Sequence, residues 1–196
     1  MPELADVKAL TFDAFGTILD LRGSLLPYIA EFLKQKQALV SPEKIWDDWR
    51  ARQRIEQFQD TIMMVGHSGY LETSRRACVY TLALNNISAS ADEVKGLMDA
   101  WQYLSPFAEV LPALQRLKGK YKLVVLSNGE PEYLEHLVNN RIQFNFDKVI
   151  SVNVVGARAC GFQAAFVNRN KLPYDDTPYK PQMTVNNFTE LADLLL

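Results

Sequence analysis

Leu10-Thr11-Phe12-Asp13-Ala14-Phe15-Gly16-Thr17-Ile18-Leu19-Asp20 joins a short apolar run to a carboxylate, a glycine and a hydroxyl. Val7 to Phe12 is mostly apolar, which predicts a strand covered on both faces. Asp13 falls where that strand ends. Open parallel sheets bind ligands at the carboxyl ends of their strands, so the carboxylate is delivered to the reactive rim. A carboxylate that is ionised, desolvated and aligned is a competent nucleophile at carbon. Thr17 is placed to order the turn by bonding Asp13 or nearby backbone, and Asp20 reads as a structural or turn residue.

A second strand, Tyr121 to Leu126, runs into Ser127-Asn128-Gly129 in the same way. If the two strands are neighbours, Ser127 and Asn128 converge with Asp13 on one rim. Between them, residues 21–105 show no strand signal. Ser24 is a candidate cap for a helix carrying Leu25, Ile29, Phe32 and Leu33. Ser41-Pro42 places a cap before proline at the first helical position. Ser90-Ala91-Asp92-Glu93 has capping-box spacing, and Leu71 to Leu84 is a further helix. After Pro106 come a helix on Leu111, Leu114 and Leu117 ending at Gly119, and helical Glu132 to Asn140. Strands come next at Lys148–Val152 and Ala164–Val167, with part of a helix at Gly156–Gly161 between them. Asn187 to Leu196 is a closing helix. Strands alternating with helices predict a parallel α/β sheet.

In the helical block, Trp46, Arg50, Gln53 and Gln57 share one face by their spacing. A planar cation that cannot lose its proton suits anion binding, so this face reads as a cleft wall. The plainer alternative pairs Arg50 with Asp47 or Glu43 on a solvated face. His67 and His136 are isolated and support no catalytic pair or metal site. Met63, Met64 and Val65 read as packing, and Cys160 as inert core.

Bulk properties set the outer bounds. The chain has 196 residues, 48% of them hydrophobic and 22% charged, enough for one domain with a small insertion. A net charge of −2 with no basic block argues against nucleic acid as a partner. No apolar run approaches the ~20 residues of a membrane span. The N-terminus shows no signal-peptide pattern. Two cysteines suggest neither a disulfide framework nor a zinc site, so a cytoplasmic location is expected.

Asp13-Ala14-Phe15-Gly16-Thr17 resembles the opening motif of the haloacid dehalogenase superfamily, and in particular the (S)-2-haloacid dehalogenase family. The phosphatase branch carries a second Asp where this chain has Phe15, and phenylalanine does no acid–base work. Ser127-Asn128-Gly129 resembles the second motif, and Trp49-Arg50-Ala51-Arg52-Gln53 the cap-domain motif. The resemblance implies a Rossmann-like parallel sheet core, 1–20 and 106–196, with an inserted helical cap domain, 21–105. It implies Asp13 as nucleophile with Thr17 beside it, and Ser127, Asn128, Arg50 and Phe15 at the substrate and halide. It further implies a small 2-haloacid substrate and neither metal nor other cofactor, and it is compatible with a homodimer. Two rivals stay open: an impaired protein of the same fold that binds small carboxylates, and a phosphatase, which Phe15 disfavours.

One departure from the family pattern lies late in the chain. The Lys148–Val152 strand should lead to Lys-Pro, a helix, a further strand and an acidic motif. Val152 instead runs into Asn153-Val154-Val155, which resembles the family's segment after that motif, and Gln163–Arg169 resembles the last core strand with its Val-Asn-Arg. Tyr179-Lys180-Pro181 lies too late to be the missing Lys-Pro. On the resemblance, the skipped strand lies beside the Asp13 strand and carries a Lys and an Asp. The expected join is Val152–Asn153, with the full protein carrying an extra segment there. The alternatives are an internally shortened, impaired protein, and a degenerate acidic motif at Ser151-Val152-Asn153.

Overall fold

A computed structural model describes residues 6–62, 68–151, 163–174 and 180–196. In chain order the elements are β1 (Ala9–Phe12), β2 (Leu19–Asp20), α1 (Leu21–Gln35), α2 (Pro42–Ile62), α3 (Tyr70–Leu84) and α4 (Ala91–Asp99). Then come β3 (Ser105–Pro106), α5 (Val110–Lys118), β4 (Lys122–Ser127), α6 (Pro131–Leu137) and β5 (Lys148–Ser151). The chain closes with β6 (Ala165–Val167), β7 (Met183–Val185) and α7 (Phe188–Leu195). The architecture is α/β, Rossmann-like, with a helical insertion. Two compact units result: Met1–Leu19 with Pro106–Leu196, and Asp20–Ser105.

The first unit is built on a three-stranded parallel sheet in the order β1-β4-β5. Its register pairs Phe12 with Val125 and Ser127 with Ser151, so three strand ends lie side by side. The core holds Leu114 and Leu117 of α5, Leu123 and Val125 of β4, and Phe188 and Ala192 of α7, each at most 2% exposed. Phe12 meets Phe188 with ring centroids 5.5 Å apart. Tyr121 Oη donates to the Leu195 carbonyl at 2.7 Å and ties the last helix to the sheet.

Two expectations need correction here. β1 is not covered on both faces, because Ala9 and Thr11 are exposed and only Phe12 is buried. Its position explains this: among the described residues β4 is the one strand paired with it, so β1 lies at a sheet edge. The reading of Ser151-Val152-Asn153 as an acidic motif needed its strand beside β1, whereas β5 lies beside β4. The last strand predicted from the sequence does not pair with β1. β6 pairs in parallel with β7, a strand the sequence did not announce, in a separate sheet. The Val152–Asn153 join and the Gly156–Gly161 helix lie outside the described residues, as do Met63 to Val65, His67, Cys160 and Tyr179.

The second unit is helical. Trp49 is 1% exposed, meets Trp46 and Trp101 edge-on, and donates its indole N–H to the Ser74 carbonyl at 2.8 Å. Ser90 and Glu93 close both hydrogen bonds of a capping box at α4, and Ser41 Oγ accepts from the Lys44 N–H before α2. At α1 the cap is Asp20, whose carboxylate accepts from Gly23 N–H at 2.8 Å. Ser24, expected there, lies inside the helix and accepts from Ser105 N–H at 2.9 Å. A carboxylate one turn earlier satisfies the first free N–H groups, and that is where the helix begins.

Two substitutions test this packing by urea unfolding. Ser90→Ala removes the bond from the Glu93 N–H to the hydroxyl, keeps the backbone N–H of residue 90 donating to Glu93, and should lower stability by about 0.5–2 kcal/mol. Leu123→Ala in β4 empties a fully buried site and should lower it by about 2–5 kcal/mol. Equal effects would mean that β4 is less tightly packed than its burial implies.

Candidate active site

Asp13 comes directly after β1, and the next six residues fold back on themselves. Ile18 and Leu19 N–H both donate to the Ala14 carbonyl, at 3.1 and 2.9 Å, and Gly16 N–H donates to the Leu19 carbonyl at 3.0 Å. Gly16 has φ +84°, a conformation that glycine adopts without strain and that lets the turn close. The turn brings Thr17 Oγ1 within 3.0 Å of Asp13 Oδ2, to which it donates. From β4, Ser127 Oγ donates to Asp13 Oδ1 at 2.9 Å and accepts from the Ala14 N–H at 3.4 Å. Each carboxylate oxygen therefore has its own hydroxyl donor.

The electrostatics pull in two directions. Burial by packed protein raises the Asp13 pKa above its ordinary value and is the largest effect. Hydrogen bonds from Ser127, Thr17, Ala14 N–H and Phe15 N–H oppose it. Asp13 nevertheless keeps exposed surface. The two observations describe a carboxylate crowded on its sides and open on one. Among the described residues no cation contributes to its titration.

The rest of this rim comes from the β4 turn. Ser127 is fully buried, and its hydroxyl proton goes to Asp13. Asn128 is half-buried and makes no side-chain hydrogen bond among the described residues. Gly129 allows close approach: a Cβ there would sit 2.8 Å from the Phe15 ring. Phe15 is 8% exposed and stacks on Tyr133 at 5.8 Å between centroids. Ser151 Oγ donates to the Gly129 carbonyl at 2.6 Å and steadies the turn from β5.

Arg50 belongs to the helical unit. Its guanidinium donates to Gln53 Oε1 and, at 3.2 Å, to Tyr70 Oη, and it lies 5.7 Å from the Trp46 ring centroid. Gln53 is fully buried and donates in turn to the Tyr70 carbonyl at 3.4 Å. Among the described residues no carboxylate pairs with Arg50. Asp47, its supposed partner on a solvated face, pairs with Arg22 at 2.9 Å. Arg50 is thus a half-buried cation held by neutral groups, with its charge uncompensated among the described residues.

Sequence reasoning missed three contributors: Tyr133, Ser151 and Arg169. Tyr133 lies in a segment read only as helical, and Ser151 in one read for a different motif. Arg169 donates from Nη2 to the Thr17 carbonyl at 2.9 Å. No local pattern announces a contact across 152 positions.

The comparisons with known proteins agree with this architecture. A model of haloacid dehalogenase-like hydrolases matches residues 7–166. "(S)-2-haloacid dehalogenase 2" of Pseudomonas sp. (strain CBS-3) is 22% identical over 229 positions, covering 98% of this chain and 97% of that protein. The "(S)-2-haloacid dehalogenase" of Xanthobacter autotrophicus is 28% identical over 148 positions, covering 75% of this chain and 55% of that protein. The solved L-2-haloacid dehalogenase from Xanthobacter autotrophicus with chloropropionic acid covalently bound superposes with a TM-score of 0.78 at 21% identity, covering 96% of this chain and 98% of that one. In the Pseudomonas alignment, 98% of 196 residues fills about 192 of 229 positions, leaving about 37 where the relative has a residue and this chain has none. That total is the size of a βαβ stretch. With a family model covering most of its length, and with an aspartate, a serine and a threonine held together at the ends of parallel strands, the chain belongs to the haloacid dehalogenase-like hydrolases.

Proposed function

We propose that this protein hydrolyses short 2-haloacids to 2-hydroxyacids, with Asp13 as the nucleophile. The observation that carries the reading is the Asp13 carboxylate: hydrogen-bonded on both oxygens, crowded by protein and open on one side. A carboxylate so held is aligned and partly stripped of water before substrate arrives. The relatives are dehalogenases of this substrate class by name, and one solved neighbour carries chloropropionic acid covalently.

In the first step an Asp13 oxygen attacks C2 of the substrate. A C–O bond forms, the C–halogen bond breaks, and the halide leaves with the electron pair, inverting the carbon. Water then adds to the Asp13 carbonyl carbon. The ester C–O bond on the enzyme side breaks, the 2-hydroxyacid departs, and Asp13 is restored with release of one proton. Ser127 and Thr17 aim the carboxylate. Asn128, with its amide unengaged among the described residues, takes the substrate carboxylate or halide. Arg50 supplies the cation for both anions, and Phe15 with Tyr133 gives an apolar wall. No metal or other cofactor enters this scheme. A cytoplasmic location fits a chain whose Cys78 is free and buried.

A second reading has one observation behind it, the total of about 37 aligned positions present in a relative and absent here. On that reading the chain completes the displacement and stalls at the ester. Halide release from 2-chloropropionate separates the two. Continuous turnover supports the first reading. Release that stops at one equivalent, with a matching gain over 22.3 kDa in intact mass, supports the second.

Asp13→Asn should abolish halide release. In heavy-oxygen water, a single turnover should place the label in the Asp13 carboxylate before product; label reaching product directly would remove Asp13 as nucleophile. The same variant has a stability signature. An acid with a raised folded pKa contributes stability below the unfolded value of about 3.9 and loses it as pH rises through the folded value. Asp13→Asn should therefore gain Tm relative to the parent as pH rises toward neutral. A variant less stable than the parent at pH 7 would mean that hydrogen bonding outweighs burial.

The acid limb of kcat/KM should report Asp13 ionisation. The Ser127 hydroxyl lowers that pKa, so Ser127→Ala should move the limb to higher pH; an unmoved limb would assign it to another group. Arg50→Lys keeps the charge but loses the planar fork, and should raise KM and lower kcat together. Arg50→Ala within about twofold of the parent in kcat/KM, under ~0.5 kcal/mol, would remove Arg50 from the anion site.

A further inference from the structure

The Thr17 turn is not held by its own backbone alone. Ala14, Gly16, Ile18 and Leu19 bond one another, and Phe107 N–H donates to the Ile18 carbonyl at 3.0 Å. The Thr17 carbonyl is outside that set. It accepts from Arg169, which lies just past the end of β6. The other arm of the Arg169 guanidinium pairs with the Glu109 carboxylate just before α5. The guanidinium carbon lies 3.8 Å from the Phe107 ring centroid and 5.6 Å from that of Phe188. The side chain is only 14% exposed. Among the described residues its Nε is buried without a partner, and two polar contacts with the ring stacking hold the head.

We propose that Arg169 is a positioning residue for Asp13: it fixes the Thr17 backbone, and the fixed backbone aims the Thr17 hydroxyl at Asp13 Oδ2. This rests on Asp13 being the nucleophile. The path is short and every link is a hydrogen bond. Arg169 Nη2 donates to the Thr17 carbonyl, and Thr17 Oγ1 donates to the carboxylate at 3.0 Å. Arginine suits the task because a rigid fork reaches a carboxylate and a carbonyl at once while its face lies on aromatic rings. A lysine ammonium is a point charge on a flexible stem; with Glu109 nearby it would take the carboxylate and release the carbonyl. Glu109 alone would neutralise a buried arginine. The bond to Thr17 is the added element, and it converts an ion pair beneath α5 into control of the nucleophile's loop.

The test reads Asp13 itself. Protein carrying carbon-13 at its aspartate carboxyls is titrated by NMR, with Asp13→Asn assigning the signal. Single-turnover halide release from 2-chloropropionate is measured alongside. The Thr17 hydroxyl lowers the Asp13 pKa, so Thr17→Val should shift the titration to higher pH. Arg169→Lys should shift it the same way, and the double variant no further. Displacement in Arg169→Lys should slow by about ten- to a hundredfold, as for a misplaced reacting group, with apparent substrate affinity within about threefold. A folded Arg169→Lys protein with an unshifted Asp13 titration overturns the proposal. So does an Arg169→Lys effect that persists in full on the Thr17→Val background. If Arg169→Lys does not fold, Phe107→Leu loosens the guanidinium and keeps an apolar side chain; a smaller shift in the same direction supports the proposal, and none counts against it. A parent protein that releases no halide, yet whose Asp13 titration responds to Arg169→Lys, would refute the functional reading and leave the positioning role standing.

Discussion

Parallel pairing of β1 with β4 is the constraint on which the active site depends. Residues 12 and 125 come into register, and a carboxylate and a hydroxyl 114 positions apart then meet at 2.9 Å. A shift of one residue in that pairing would turn Ser127 to the other side of the sheet and leave Asp13 without its buried donor. The apolar positions that fix the register, Phe12, Leu123 and Val125, are therefore as much part of the site as the polar groups they present. Packing and chemistry share one ladder of hydrogen bonds.

The carboxylate itself is a compromise. Burial weakens its tendency to ionise and is the larger effect, while two hydroxyls and two backbone N–H groups oppose it. Removing water makes a carboxylate more reactive, and fixed donors favour its ionised form. Every donor comes from the turn after β1 or the end of β4, so the compromise is set by local geometry in two short segments. The helical unit, taken by itself, holds an arginine between a buried glutamine, a tyrosine and a tryptophan ring, with no carboxylate among the described residues to neutralise it.

Much of this was legible in the sequence because the relevant signals are local. Asp13 at the end of an apolar run, the Gly16 turn, Ser127 after the second strand and the helix starts at Ser41 and Ser90 are each read within a few residues. What was not legible depends on distance or on competition. Asp20 outcompeted Ser24 as the α1 cap because it lies one turn earlier and carries charge. β7 is three residues long, too short for alternation to show against the prolines nearby. The exposure of β1 could not be read from β1, since a strand's burial is decided by its neighbours. Arg169 gave no cue, as nothing near it in sequence hints at Thr17.

Among the described residues β1 is paired on one side, and that reaches beyond stability. A strand with one unpaired side offers a row of backbone donors and acceptors to any extended chain that meets it, and folded proteins ordinarily blunt such rows with charge, proline or a covering element. Ala-Leu-Thr-Phe, the sequence of β1, holds neither charge nor proline. At its end stands Asp13. A foreign strand laid on this edge would place its backbone alongside the Asp13 turn, so strand pairing there and access to the carboxylate would compete for the same space.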